Sequence, residues 1–160
     1  MKIKLTPEIS YVLGLWRHRK TRNGIGVSGN EQLLAVFTKA VIDAGMAVPG
    51  KLLSDKDSVY FYHTAYRKYL QEIEEKLSDV FKHKNEYSQK YLAGLFDAKG
   101  GFSDEGYPYI SGADKKDEMV FLRLGFRCKL ERGVLAIVDI KGFKEYIKDY
   151  SAFLDEMSKK

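Results

Sequence analysis

The stretch Leu92-Ala93-Gly94-Leu95-Phe96-Asp97-Ala98-Lys99-Gly100-Gly101-Phe102 decides how the rest of the chain is read. Ala93 and Gly94 are small enough to let another helix backbone come close. Leu95 and Phe96 are apolar enough to bury around such a contact. Gly100-Gly101 ends a helix and turns the chain into a strand. Taken alone, the stretch also fits an ordinary helix with packing glycines. A second copy changes that reading. Tyr11-Val12-Leu13-Gly14-Leu15-Trp16 lines up with Tyr91-Leu92-Ala93-Gly94-Leu95-Phe96 at an offset of 80. Three further segments follow in the same order. Val27-Ser28-Gly29 matches Ile110-Ser111-Gly112, Ala44-Gly45-Met46 matches Leu124-Gly125-Phe126, and Ala65 to Leu70 matches Gly142 to Ile147. Ordered matches of this kind are the signature of a duplicated unit.

Each unit reads as helix, short strand, helix, hairpin, helix. In the first, Thr6 is a candidate N-cap with Pro7 in the first turn, and the helix runs toward Lys20. Asn23-Gly24 marks a turn and Ile25 to Ser28 is β-like. Asn30 can cap a second helix through Ala44, with Leu33, Leu34, Phe37, Ala40 and Val41 at helical spacing and Gly45 ending it. Lys51 to Leu53 and Ser58 to His63 read as a hairpin across Asp55-Lys56-Asp57, and a third helix is predicted from Ala65 to about His83. The second unit repeats this with a helix from about Glu86 to Ala98, a strand near Tyr107 to Ser111, a strand from Val134 to Ile140 and a last helix from Lys141 to Met157. Between Asp117 and Leu130 two readings compete. Alternation of Leu122, Leu124, Phe126, Cys128 and Leu130 with polar residues is a strand pattern, whereas the repeat asks for a helix ending at Gly125; the repeat is followed. The halves are taken as residues 1–83 and 84–160 of one compact unit, joined at Lys82 to Asn85 without a Pro/Gly/Ser-rich linker.

The segment from Leu92 to Gly100 closely resembles the LAGLIDADG motif of homing endonucleases and their RNA-maturase relatives, matching eight of nine positions if Phe96 is accepted as an apolar replacement. The departure is Lys99. The upstream copy, Val12 to Lys20, is degenerate and is found through the repeat. The resemblance implies an α+β fold: a duplicated αββαββα unit with pseudo-two-fold symmetry and two saddle-like antiparallel sheets. It places Gly14, Ala93 and Gly94 in the interface between the two motif helices. It also implies that the acidic residue at the eighth motif position of each helix holds divalent metal at the scissile phosphates. Mg²⁺ takes hard oxygen ligands, and a two-metal site stabilises both the attacking and the leaving oxygen. Here those positions are Arg19 and Lys99. Protonated, neither ligates a cation, and a unit charge about 5 Å away at an effective dielectric near 20 repels one by roughly 3 kcal/mol. No catalytic residue, metal or cofactor is therefore expected. Mg²⁺ enters only if a rearranged site forms around Asp97 and Asp104. Asp97 is read as a helix-end group paired with Arg17 or a backbone amide, and Asp104 and Glu105 as solvated loop acids.

Cations at those positions still attract phosphate. Arg17, Arg19, Lys20 and Arg22 with Lys99 are candidate phosphate contacts, or else a solvated basic helix end; His18 reads as a surface histidine. By the resemblance, the two sheets form a saddle over a major groove. Lys51, Lys56, Tyr60 and Tyr62 from the first half, and Tyr109, Arg127, Lys129 and Arg132 from the second, are the candidate groove-facing residues. An ordinary amphipathic sheet is the alternative. Lys144, Lys148, Lys159 and Lys160 read as a solvated helix face, and Glu72, Glu74 and Glu75 turn the third helix away from nucleic acid.

Composition bounds the rest. The 160 residues are 44% hydrophobic and 31% charged, which excludes a disordered tail. No apolar run approaches the ~20 residues a membrane span needs. Met1 to Leu5 is too short and mixed for a cleaved signal peptide, and the single Cys128 cannot form an internal disulfide, so a reducing cytoplasm is expected. A net charge of +5 suits a polyanionic partner without demanding one. The expected function is nucleic-acid binding without cleavage, with duplex DNA favoured over RNA, by a monomer whose pseudo-dimer interface is internal. A maturase-like RNA binder, an endonuclease with a rearranged metal site and a protein-interaction module are the alternatives.

Overall fold

A computed structural model describes residues 2–158; Lys159 and Lys160, placed by the sequence on a solvated helix face, lie outside the described residues. Two central helices carry the two motif copies: α1 (Pro7–Arg17) and α5 (Glu86–Lys99). Each begins where the sequence supplies a cap. Thr6 Oγ1 accepts from the Ile9 amide at 3.1 Å, and Asn85 Oδ1 accepts from the Ser88 amide at 3.0 Å. The helices touch through glycine. A Cβ on Gly14 would lie 2.3 Å from the Tyr91 carbonyl oxygen, and one on Gly94 would lie 2.4 Å from the Tyr11 carbonyl oxygen. The contact is reciprocal under the offset of 80, so it sits on the pseudo-two-fold axis.

Around α1 lie β1 (Ile25–Ser28), α2 (Glu31–Asp43), β2 (Leu53–Asp55), β3 (Ser58–Phe61), α3 (Thr64–Glu75) and the single turn α4 (Leu77–Val80). Around α5 lie β4 (Gly100–Phe102), β5 (Pro108–Ser111), α6 (Lys115–Arg123), β6 (Cys128–Glu131), β7 (Val134–Ile137), α7 (Ile140–Ile147) and the short α8 (Leu154–Ser158). The strands form two antiparallel sheets, in the orders β1-β3-β2 and β4-β5-β7-β6. Ile25, Val27, Val59 and Phe61 turn inward from the first, and Ile110, Leu135 and Ile137 from the second, so each sheet has one covered face and one open face. Phe96, Phe121, Phe126 and Phe143 meet edge-on or tilted beneath the second sheet, and Phe81 stacks on Tyr91 at 4.3 Å. Each ring buried this way stabilises the fold by about 2–3 kcal/mol. No helix among the described residues is long and apolar enough to cross a membrane.

The competing readings of 117–130 resolve toward the repeat. α6 ends in a turn identical to that of α2. The Gly45 and Gly125 amides donate to the carbonyls of Ile42 and Leu122, and the next amides, of Met46 and Phe126, reach back to Val41 and Phe121. Both glycines have positive φ, 71° and 88°, which this helix ending requires. Strand alternation is real, but only from Cys128 onward.

Four boundaries differ from expectation. α1 stops at Arg17 rather than near Lys20, because residues 19–21 serve the open edge of β1 instead. The Thr21 amide donates to Gly26, and the Ser28 amide donates to Arg19. Lys51 lies in a 3₁₀ turn, Pro49–Lys51, ahead of β2. The helix predicted to reach His83 breaks at Lys76, which sends Leu77 and Phe81 into the core. The last helix breaks after Ile147, and residues 151–153 wrap over a buried carboxylate described below. Gly100-Gly101, expected to turn the chain into a strand, is itself the start of one, β4, ahead of the strand expected near Tyr107 to Ser111.

Candidate nucleic-acid interface

Both motif helices end on the same side of the molecule, and the sixth motif position of each is buried and charged. In α1 it is Arg17, 8% exposed. Its guanidinium meets Glu74 of α3 at 3.0 Å, Asp114 at the N-cap of α6 at 3.0 Å, and Asp117 one turn on at 2.9 Å. The expected phosphate contact at Arg17 is therefore corrected: three carboxylates occupy its donors. His18 is likewise no isolated surface group, since its Nε2 lies 2.8 Å from Asp117 Oδ2. Burial by itself pushes the Asp117 carboxyl up, but the His18 hydrogen bond and the Arg17 guanidinium outweigh it and hold the group at about 2. Lys20 bonds Glu74 Oε1 at 2.6 Å and lies 4.4 Å above the Trp16 ring, so this candidate too is engaged within the chain. Glu74 is thus turned inward rather than out to solvent with Glu72 and Glu75.

In α5 the same position is Asp97, 5% exposed. It does not pair with Arg17. It accepts from the Tyr11 hydroxyl at 2.6 Å, Ser151 Oγ at 2.5 Å, and the amides of Ala152 and Phe153 at 2.8 and 3.3 Å. Burial raises its pKa, and these donors oppose the rise. Asp104 stands apart in an exposed turn between β4 and β5, so the structure does not bring Asp97 and Asp104 together. Among the described residues, no cluster of three His, Cys, Asp or Glu has a metal-binding arrangement.

Beyond these buried positions come Arg19 and Lys99. Arg19 Nε donates to the Ala98 carbonyl at the C-terminus of the opposite motif helix, at 2.8 Å. That suits the negative end of the helix dipole and leaves both Nη groups without a bond to the described residues. Lys99 closes α5; its carbonyl accepts from Ser111 Oγ at 3.1 Å, and its side chain runs past Gly112. A pair of protonated cations offers no oxygen donor, so these two positions do not fit Mg²⁺.

The open sheet faces flank this centre. On the first, Tyr60 sits opposite Gly26 and Leu53, Ser58 opposite Ser28 and Asp55, and the Tyr60 and Tyr62 rings meet edge-on at 5.8 Å. Asp55 pushes the Tyr60 hydroxyl up from the usual tyrosine range. On the second, Tyr109 folds over Gly101, where a Cβ would lie 2.5 Å from its hydroxyl. Lys129 sits opposite Ala136 and pairs with Glu131 at 3.0 Å. Arg127 precedes Lys129 by two residues on the same face, bonded through its carbonyl to the Val138 amide. Arg132 occupies the β6–β7 turn with a positive φ of 50°. Lys51 and Lys56 lie at the rim, in the turns before and after β2. The sequence reading missed Ser28, Ser58 and Asp55, although their alternation with Val27, Val59 and Phe61 carries the signal.

No family model and no curated protein matches this sequence. Solved structures do. Mesophilic variants of the homing endonuclease I-DmoI match with a TM-score of 0.63 at 15% identity, over 89% of this chain and 96% of that one. An I-DmoI variant bound to its target DNA in the presence of Mg matches at 0.64 and 16%, over 89% and 96%. I-DmoI in complex with DNA and Mn matches at 0.58 and 14%, over 96% and 97%. The chain has the LAGLIDADG-type fold of those structures.

Proposed function

We propose that this protein binds duplex DNA across its two open sheet faces and does not cut it. The observation that carries the reading is the pair Arg19 and Lys99. Both half-buried, they stand at the C-terminal ends of the paired helices, Arg19 just beyond α1 and Lys99 closing α5, where the motif the sequence resembles has its metal-holding acids. Cations at that point favour a phosphate backbone and oppose a metal ion. DNA-bound I-DmoI, sharing the fold, supports duplex DNA as the ligand class. Tyr60, Tyr62, Tyr109, Arg127, Lys129 and Arg132 supply the groove-facing chemistry, with Lys51 and Arg22 at the rim. The halves 1–83 and 84–160 act together as a monomer, because the glycine-mediated helix pairing that would join two subunits is internal, and the lone half-buried Cys128 suits a reducing compartment.

Fluorescence anisotropy with labelled mixed-sequence duplex, without metal and from low to moderate salt, tests the reading. Affinity is expected to fall steeply as salt rises, and Arg19→Ala with Lys99→Ala to flatten that dependence. No binding at low salt rejects DNA as the partner. Nicking or cleavage in Mg²⁺ or Mn²⁺ rejects the loss of catalysis.

A further inference from the structure

The two sheets carry opposite charge at the ends remote from the motif helices. In the first, the remote end is the turn Arg22-Asn23-Gly24 against the end of β3, since Ile25 pairs with Phe61 there while Ser28 reaches back to Arg19. Gly24, with φ of 69°, lets this turn lie on the Phe61 carbonyl, which a Cβ would meet at 2.5 Å. Just beyond it opens a cavity of about 330 Å³ lined by Asn23, Tyr62, His63, Arg67, Lys68 and Gln71. Tyr62 is 63% exposed at its wall. No ion pair among the described residues engages Arg22, Arg67 or Lys68.

Helix α3 carries its charges against its own dipole. Helices gain from acids at the N-terminus and cations at the C-terminus. Here the first turn has no acid, Arg67 and Lys68 follow it, and Glu72, Glu74 and Glu75 crowd the other end. The acidic end has its reason inside the chain, because Glu74 binds Arg17 and Lys20. The basic end has no such partner. At the corresponding end of the second sheet, the turn closed by Gly106 carries exposed Asp104 and Glu105 instead.

We infer that Arg67 and Lys68 beside Tyr62, with Arg22 on the adjoining turn, form a phosphate clamp at the outer end of the first sheet. It grips the backbone of the flanking duplex on that side only. This rests on the DNA-binding reading above and adds a direction to it: the footprint extends farther past the first half than past the second. Arg67 supplies a forked donor and Lys68 a point charge, which suits backbone rather than base contact.

The test is the salt dependence of anisotropy with a labelled mixed-sequence duplex, comparing wild type with the double variant Arg67→Gln, Lys68→Gln. Each lost phosphate contact lowers the slope of log K against log salt by about 0.9, so between 50 and 200 mM salt the variant should lose about twelvefold less affinity than wild type. Lys39→Gln with Lys148→Gln removes the same charge from helices behind the sheets and should leave the slope unchanged. Both substituted pairs are exposed, and circular dichroism checks that the variants fold. A wild type that binds no duplex removes the DNA reading itself. A wild type that binds, with the Arg67/Lys68 slope unchanged or matched by the control, overturns the clamp alone.

Discussion

The ends of α1 and α5 occupy one position in two copies of a repeat, and they hold opposite charges in opposite surroundings. Arg17 is enclosed by Glu74, Asp114 and Asp117. Asp97 is enclosed by hydroxyls and amides from Tyr11 and residues 151–153. The scaffold between them is symmetric to the level of Gly14 facing Gly94. What differs is the third party: α3 and α6 close over one helix end, and the α7–α8 connection over the other. A motif position buries a charge of either sign, provided that a neighbouring element supplies the complement. Tyr91 shows what happens when only half of such an exchange occurs. Its equivalent, Tyr11, donates to Asp97. With Arg17 in place of an acid, the Tyr91 hydroxyl is buried without a partner.

The largest expected effect breaks the α1 side. Arg17→Met takes the guanidinium from two buried carboxylates, leaving Asp117 with His18 and Glu74 with Lys20 as their remaining charged partners, and should cost about 3–5 kcal/mol in chemical denaturation. Asp97→Ala takes the acceptor from two amides and two hydroxyls; a loss of about 2–3 kcal/mol is expected, with faster hydrogen exchange at Ala152 and Phe153. Acid separates the two ends by sign. Asp117 falls from 3.8 unfolded to about 2 folded, so its contribution is present above pH 4 and about 2–3 kcal/mol is lost as pH drops through 2. Asp97 is raised, so the folded state binds its proton first, and its unfavourable contribution grows as pH rises through that window. Denaturation across pH should therefore show a flatter acid decline in Asp117→Asn and a steeper one in Asp97→Asn. The smallest pair is Tyr11→Phe against Tyr91→Phe. The first should cost about 1–2 kcal/mol, and the second should be neutral or stabilising, because it removes an unsatisfied hydroxyl. Equal losses at both tyrosines would contradict the proposed asymmetry.

The repeat was the most legible feature. Gly45 and Gly125 sit in matching segments, and they end their helices with the same two hydrogen bonds. Local alternation at Leu122 to Leu130 pointed the wrong way over its first half, because the outer face of α6 carries apolar Leu122, 49% exposed, where a helix pattern would have a polar residue. The candidate interface was legible where side chains alternate along a strand, as at Tyr60 and Lys129. It was not legible at Arg17, Lys20 and His18. Their carboxylate partners lie 54 to 100 residues away, on elements whose orientation no local pattern encodes. The charge reversal along α3 was in the sequence too, but it acquired meaning only once Glu74 was seen to point inward.

Sequence alone was enough for the repeat, most of the element order, the caps at Thr6 and Asn30, the small residues of the motif helices and the cations at the eighth motif positions. These depend on residue type and spacing, which act over a few residues or repeat at a fixed offset. The tertiary structure decided which charges are spent inside the molecule and which remain free. Burial removes water from a charge and makes a partner obligatory, and that partner comes from whichever distant element packs against it. Arg17 and Lys20 were claimed in this way, while half-buried Arg19 and exposed Arg67 and Lys68 were left without a carboxylate partner among the described residues.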